Sequence, residues 1–278
     1  MISNLETNSK EKQKLSRAFL YKLVAENLYL FDEFLVLKQN KSFIVDIFKD
    51  SAAFISVFEK DIDNKKHYNF KEFSLLVSNA FKKVKNDSFK EYLSCNLQEL
   101  FNKKAKGERI SYKNIVKLLL DELITYQNIV LEKNYRKVWF YPDNTKSTSN
   151  YPQIFLSYAF TDRGLTMGLF VYFFLNGAFL YVNWMWCGAE SNSAITKKEL
   201  DRQLSNSKQF LFLRTTNSEL RIAGNHQVRQ WCSWEIGNYY SKHIGGKFYI
   251  NFYGAVPSSN DILSTFNIFH YVSNGVMY

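Results

Sequence analysis

Between residues 10 and 135 apolar side chains recur at three-and-four spacing. This predicts amphipathic helices over residues 15–37, 43–58, 70–84, 89–103 and 112–133. Beyond residue 152 the period changes, and short continuous apolar runs alternate with helical stretches. Strands are predicted over 153–158, 179–184, 209–214 and 247–253, and helices over 164–176, 195–206, 227–242 and 262–271. Thr196 with Glu199 three residues on reads as a cap for the second of these helices. Apolar strands alternating with helices imply a parallel sheet covered on both faces. Residues 142–152 are polar and flanked by prolines, which marks a linker, and residues 138–141 before it read as a short strand. The expected fold is therefore α/β. An all-α helical domain over 1–140 leads through a linker at 141–152 into a flavodoxin-like parallel-sheet domain over 153–278.

One stretch competes with this reading. No charged residue occurs from Gly164 to Gly188, a length that passes for a membrane span. Asn176-Gly177 places a turn signal in its middle, the second half is short and β-branched, and basic flanks are missing. A buried helix turning into a buried strand accounts for the same residues, so no membrane partner is expected.

Composition narrows the classes further. The chain of 278 residues is 46% hydrophobic and 17% aromatic, enough for packed cores. Its net charge of +10 invites a nucleic-acid partner, but +7 of it falls in residues 1–150, where 26 Lys+Arg are mixed with 19 Asp+Glu. Mixed-sign helix faces are solvated surfaces, so nucleic acid is not expected as a partner. Cys95, Cys187 and Cys232 form no C-x-x-C pair, which argues against a disulfide framework or a zinc site. Residues 61–72 imitate a calcium loop with Asp61, Asp63 and Glu72. Lys65 and Lys66 occupy the fifth ligand and turn-glycine positions, so a helix connector is expected, with no metal. The polar start, Met1 to Lys14, lacks a secretory pattern, and a cytoplasmic protein is expected.

The chemistry concentrates in Trp231-Cys232-Ser233-Trp234-Glu235. On a helix Trp231 and Glu235 stand one above the other, setting a carboxylate against an indole at the edge of an apolar face. Burial of that kind raises a carboxyl pKa and shapes a slot for a planar ring. In parallel sheets ligands sit beyond the carboxyl ends of the strands. That edge collects Ser157 to Phe160, Asn183 to Trp186, Thr215 to Ser218 and the start of the Glu235 helix. No Ser/His/Asp grouping is visible.

These pieces carry a resemblance. Phe155-Leu156-Ser157-Tyr158 followed by Thr161-Asp162-Arg163 resembles the first strand and helix start of Toll/interleukin-1 receptor (TIR) domains. Tyr181-Val182-Asn183-Trp184 is similar to their second strand, residues 187–194 to their BB loop, and Ser207 to Leu213 to their third strand. Trp231-Cys232-Ser233-Trp234-Glu235-Ile236 resembles their W-C-x-x-E-[LI] helix. The set runs in the family's order over residues 152–271, whereas residues 1–140 resemble no family. Asn183 stands where many members carry an acid, and Arg229 where the helix motif often has Ser.

The resemblance implies one of two activities. Enzymatic members cleave the nicotinamide–ribose bond of NAD, giving nicotinamide and ADP-ribose or a cyclic form, and the glutamate matching Glu235 is essential in them. NAD is then substrate, and no cofactor is implied. The alternative is a non-enzymatic scaffold acting through TIR–TIR contacts. Under the enzymatic reading Glu235 is the catalytic carboxylate at the nicotinamide ribose and Trp231 an aromatic wall. Ser157, Tyr158 and Phe160 line the pocket from the first strand's end, with Asn183 and Trp184 opposite. Self-assembly into a homo-oligomer, an unknown trigger acting on residues 1–140, and a role in innate immune or anti-phage defence signalling are further implications of the family.

Overall fold

A computed structural model describes residues 15–31, 35–62, 70–105, 151–186, 193–215, 217–222, 225–253 and 262–278, and five residues between 123 and 131. Helices form the N-terminal region: α1 (Arg17–Glu26), α2 (Leu35–Ile62), α3 (Phe70–Phe81) and α4 (Asp87–Ala105). The single helix expected over 15–37 is broken. Asn27 caps α1, its side-chain amide donating to the Leu23 carbonyl at 2.9 Å, and a 3-10 turn Leu28–Phe31 follows. At the other end Ser16 accepts from the Phe19 amide at 3.1 Å. Leu123, Tyr126, Val130 and Leu131 are helical and buried, within the span predicted as the fifth helix. The expected connector at residues 63–69, the linker at 142–150 and the short strand at 138–141 lie outside the described residues.

The second region is a five-stranded parallel sheet with helices on it. Its elements are β1 (Gln153–Ser157), α5 (Arg163–Leu175), β2 (Phe179–Tyr181), α6 (Asn183–Trp186), α7 (Ser193–Asn206), β3 (Gln209–Thr215), β4 (Glu219–Ile222), β5 (Asn225–Val228), α8 (Gln230–Lys242), β6 (Lys247–Tyr253) and β7 (Asn267–Ile268). The sheet order is β2-β1-β3-β6-β7, every neighbouring pair parallel. Chain order therefore reverses between β1 and β3, which sets the crevice of a doubly wound sheet beyond their carboxyl ends.

Four expectations need correction. The strand expected over 179–184 ends at Tyr181, and Asn183–Trp186 forms the one-turn α6. Helix α7 begins at Ser193, ahead of the proposed Thr196 cap. The helix expected from 227 begins at Gln230, because residues 225–228 pair with 219–222 in the antiparallel β4–β5 hairpin. The last helix, expected over 262–271, is a 3-10 turn Ile262–Thr265 followed by β7, the fifth strand. A hairpin of β8 (Val272–Ser273) and β9 (Val276–Met277) follows, turning through Asn274 and Gly275, both at positive φ. Gly275 lies so close to Pro152 that an added Cβ would stand 2.4 Å from its ring.

Strand alternation sends side chains into two cores. Ile154, Leu156, Leu180, Leu211 and Leu213 face α5, while Phe155, Phe210, Phe212 and Ile250 face α7 and α8. The first core does not stop at α5. Helix α1 packs on the outer side of α5, and the same cluster continues into α2, α3 and α4. Ten of the thirteen residues of α5 are buried, which explains the uncharged stretch in the sequence. Among the described residues no helix is long and apolar enough to cross a membrane.

Gly168 permits the contact, since a Cβ there would lie 2.6 Å from Leu20 Cβ and 2.9 Å from its carbonyl oxygen. Gly168→Ala is expected to force the helices apart and lower stability by about 1–3 kcal/mol in urea or thermal unfolding. Gly237 in α8 meets nothing within 4 Å of an added Cβ and is exposed. Gly237→Ala is expected to raise stability by about 0.5–1 kcal/mol, so the two substitutions should move the midpoint in opposite directions.

Candidate functional site

The site grows from the last residue of β1. Phe155 and Ser157 share one face of the strand by alternation, so Ser157 points at α8 rather than α5. On α8 the buried residues are Cys232, Glu235 and Tyr239, one stripe at helical spacing that faces the sheet. Glu235 therefore occupies a position that helical periodicity reserves for an apolar residue. Ser157 answers it: its hydroxyl donates to Glu235 Oε2 at 2.5 Å.

Burial dominates the electrostatics. Glu235 is 4% exposed, and loss of hydration pushes its carboxyl up to about 8, with hydrogen bonds from Ser157 and the Trp231 side chain opposing the shift only in part. With its carboxyl at about 8, this acid is protonated at neutral pH. Cys232, one turn earlier, is pushed up to about 12 by burial and then by the Glu235 charge, and its thiol contacts the Tyr158 carbonyl at 3.6 Å. It is a packed thiol and not a nucleophile.

Trp231 stands four residues before Glu235 and is 43% exposed. Its ring stacks on Trp234 at 5.4 Å between centroids, and Lys197 of α7 places its ammonium 5.6 Å from the Trp234 ring. The indole pair thus forms an open shelf beside a closed acid.

The remaining predicted site residues divide into two groups. The Tyr158 hydroxyl accepts the Trp184 amide at 3.0 Å, tying the end of β1 to α6. Trp184 is buried, and its indole N–H donates to Thr166 Oγ1 at 2.8 Å, so it serves the α5 side. Asn183 is partly buried, with a side-chain oxygen that has no hydrogen-bond partner. Phe160 is half exposed and carries the Arg163 guanidinium 4.0 Å above its ring. The structure brings Ser157, Trp231 and Glu235 together directly. Tyr158 reaches them through Cys232, whereas Phe160 and Trp184 attach to Arg163. Residues 187–192, most of the loop that resembles the BB loop, lie outside the described residues.

The sequence reading missed a second buried acid at the same edge. Asp162 is 1% exposed and accepts from Thr215 Oγ1 at 2.6 Å and Asn217 Nδ2 at 2.8 Å. Burial raises its pKa, against those two bonds and the charges of Arg17 and Arg229. The available signal was positional: an acid follows β1 and a Thr/Asn/Ser cluster follows β3, the two strands flanking the crevice. Among the described residues no group of three His, Cys, Asp or Glu side chains is placed to hold a metal ion.

Comparison with known proteins finds no matching family model, no matching curated protein and no matching solved structure.

The Glu235 burial has a measurable consequence. The folded protein keeps this proton up to about pH 8, whereas an ordinary glutamate loses it near 4.5. Stability from the group is complete below the lower value and is lost as pH rises through the higher one, by up to about 1.4 kcal/mol per pH unit. Thermal unfolding from pH 5 to 8 is expected to show a steeper fall in midpoint for the wild type than for Glu235→Gln, which cannot titrate.

Proposed function

We propose that the chain is a TIR-like NAD glycohydrolase in which Glu235 is the catalytic carboxylate. The observation that carries this reading is the Ser157–Glu235 hydrogen bond at the reversal point of the sheet, with Trp231 one turn before the acid. Counting only the strands of the main sheet, the order β2-β1-β3-β6-β7 becomes 2-1-3-4-5, consistent with a flavodoxin-like sheet, the arrangement the resemblance implies. The motif segments that supply Ser157 and Glu235 meet on one side of it, where Phe210 and Phe212 of the β3 run also point.

The chemistry asks little of the protein beyond one acid and a dry slot. The bond between ribose C1′ and the nicotinamide nitrogen breaks, its electron pair leaves with the ring, and nicotinamide departs neutral without a general acid. Positive charge develops on the ribose, and a carboxylate beside it lowers that barrier. Water then adds to C1′ and releases a proton, giving ADP-ribose; an adenine nitrogen in place of water gives a cyclic product. The cationic nicotinamide of the substrate favours the ionised form of Glu235, so binding itself supplies the charge that burial withholds. Trp231 and Trp234 offer a face for a planar ring.

Assembly into a homo-oligomer through TIR–TIR contacts, a trigger received by the N-terminal helices, a cytoplasmic setting and a defence role belong to the same proposal. All but the cytoplasmic setting rest on the resemblance alone. Incubating the full chain with NAD, alone and under forced multimerisation, is expected to release nicotinamide. Glu235→Gln should lower kcat/KM by about a hundredfold or more. In the wild type kcat/KM should climb with pH toward about 8 as the free enzyme's carboxyl ionises. No nicotinamide under any assembly condition would leave the scaffold reading standing, and full activity in Glu235→Ala would remove the residue assignment.

A further inference from the structure

Helix α8 carries the acid, and the thiol of Cys232 in its first turn contacts the Tyr158 carbonyl at 3.6 Å. Arg229, the residue before the helix, makes no side-chain capping bond. Toward the other end α8 is fastened to α7, where Asp201 accepts from Asn238 Nδ2 at 2.9 Å and Lys242 Nζ at 2.6 Å. The first turn is fastened differently. The Arg229 amide donates to the Ser218 carbonyl at 3.0 Å, and the Ser233 amide closes the first helical turn onto the Arg229 carbonyl at 2.9 Å.

Ser218 belongs to a knot at the end of β3. Its amide donates to Thr215 Oγ1 at 3.2 Å, the Asn217 amide donates to the same oxygen at 3.1 Å, and the Ser218 hydroxyl donates to the Thr215 carbonyl at 3.0 Å. Thr215 Oγ1 accepts two amides and needs an outlet for its own proton. Asp162 supplies it at 2.6 Å and takes the Asn217 side chain on its other oxygen. A continuous path of hydrogen bonds therefore runs from the loop after β1, across the reversal point, through the turn after β3, to the start of α8.

We propose that Asp162 is a positioning residue, holding the β3–β4 turn and through Ser218 and Arg229 the first turn of α8, so that Trp231 and Glu235 stay in register with Ser157. Two features support a dedicated role. The carboxyl is 1% exposed, and such an acid is retained only where its oxygens are satisfied. Positive charges from two separate elements, Arg17 of α1 and Arg229 before α8, also act on it, so the N-terminal helices contribute to the same node. The inference rests on Glu235 being the functional acid and is independent of the reaction assigned to it.

The test needs no substrate, so an inactive protein leaves it decisive. In full-length protein, hydrogen exchange of residues 215–218 and 229–235 is measured together with the titration of Glu235 by NMR of carboxyl-labelled glutamate. Asp162→Ala removes the bonds to both Thr215 and Asn217 and is expected to speed exchange in both segments by about tenfold or more, while α7 and β6 keep their protection. The Glu235 midpoint should fall toward the ordinary carboxyl range as water enters, and Asp162→Asn, which keeps one acceptor, should recover part of both effects. A general loss of packing would instead loosen every element together. Asn217→Ala removes one arm of the node at a partly buried position and should give a smaller shift of the same sign, which decides the matter should Asp162→Ala not fold. Unchanged exchange at 229–235 with an unchanged Glu235 midpoint, in whichever of these variants folds, would overturn the proposal.

Discussion

A helix without a polar face must be covered on every side, and α5 is such a helix. Between Arg163 and Val171 every residue is buried, so the sheet covers one side and α1 the other. Exposing a fully buried large apolar side chain costs about 1.5–3 kcal/mol, so leaving several of that outer side in water would consume a large share of a typical domain's stability of about 5–15 kcal/mol. The rest of the arrangement follows. Gly168 lets Leu20 approach to contact, Phe31 packs on Phe170 at 5.8 Å, and Phe19 on Tyr172 at 6.4 Å. With α5 so fixed, the residues just before it, Phe160 to Asp162, are fixed as well, and they form one wall of the crevice where β1 and β3 part.

On the opposite face the constraint is electrostatic. Glu235 interrupts an apolar stripe between Cys232 and Tyr239, and the sheet offers it one hydroxyl. Asp162, a few residues from the same strand end, receives two side-chain donors and two cationic neighbours. Both acids are desolvated, but their surroundings differ in kind. Asp162 is embedded in a satisfied network that suits a scaffold, and Glu235 in a sparse one that leaves its state open to whatever enters beside Trp231. In the proposed reaction that sparse support is useful, because an acid already neutralised by fixed partners has little field left for a developing cation.

The sheet was legible because β1 and β3, at its centre, are buried on both faces. β1 and β3 read as continuous apolar runs and β6 as one interrupted only by Asn251, and the structure places all three within one residue of expectation. The β4–β5 hairpin was not, since Arg221, Asn225, His226 and Gln227 carry no period and, among the described residues, its two strands pair only with each other. The fifth strand of the sheet falls in a span that reads as helix because β7 has two residues, too few for any period to appear. At the site, the Trp231–Glu235 pairing was readable from spacing along one helix. Its partner Ser157 and the Asp162–Thr215 bond join residues more than fifty positions apart, and one sequence carries no periodic signal for such pairs.

The close seating of α1 on α5 also bears on how such a chain can be rearranged. A sheet unit whose helices each kept a wet face could be cut out and spliced behind an unrelated partner with little penalty. This one would arrive with the flank of α5 bare, a sticky patch prone to self-association unless the new neighbour brought its own glove for Gly168 and Phe170. The helical region is thus less a passenger than half of a matched pair, and recombination would have to move the two halves together.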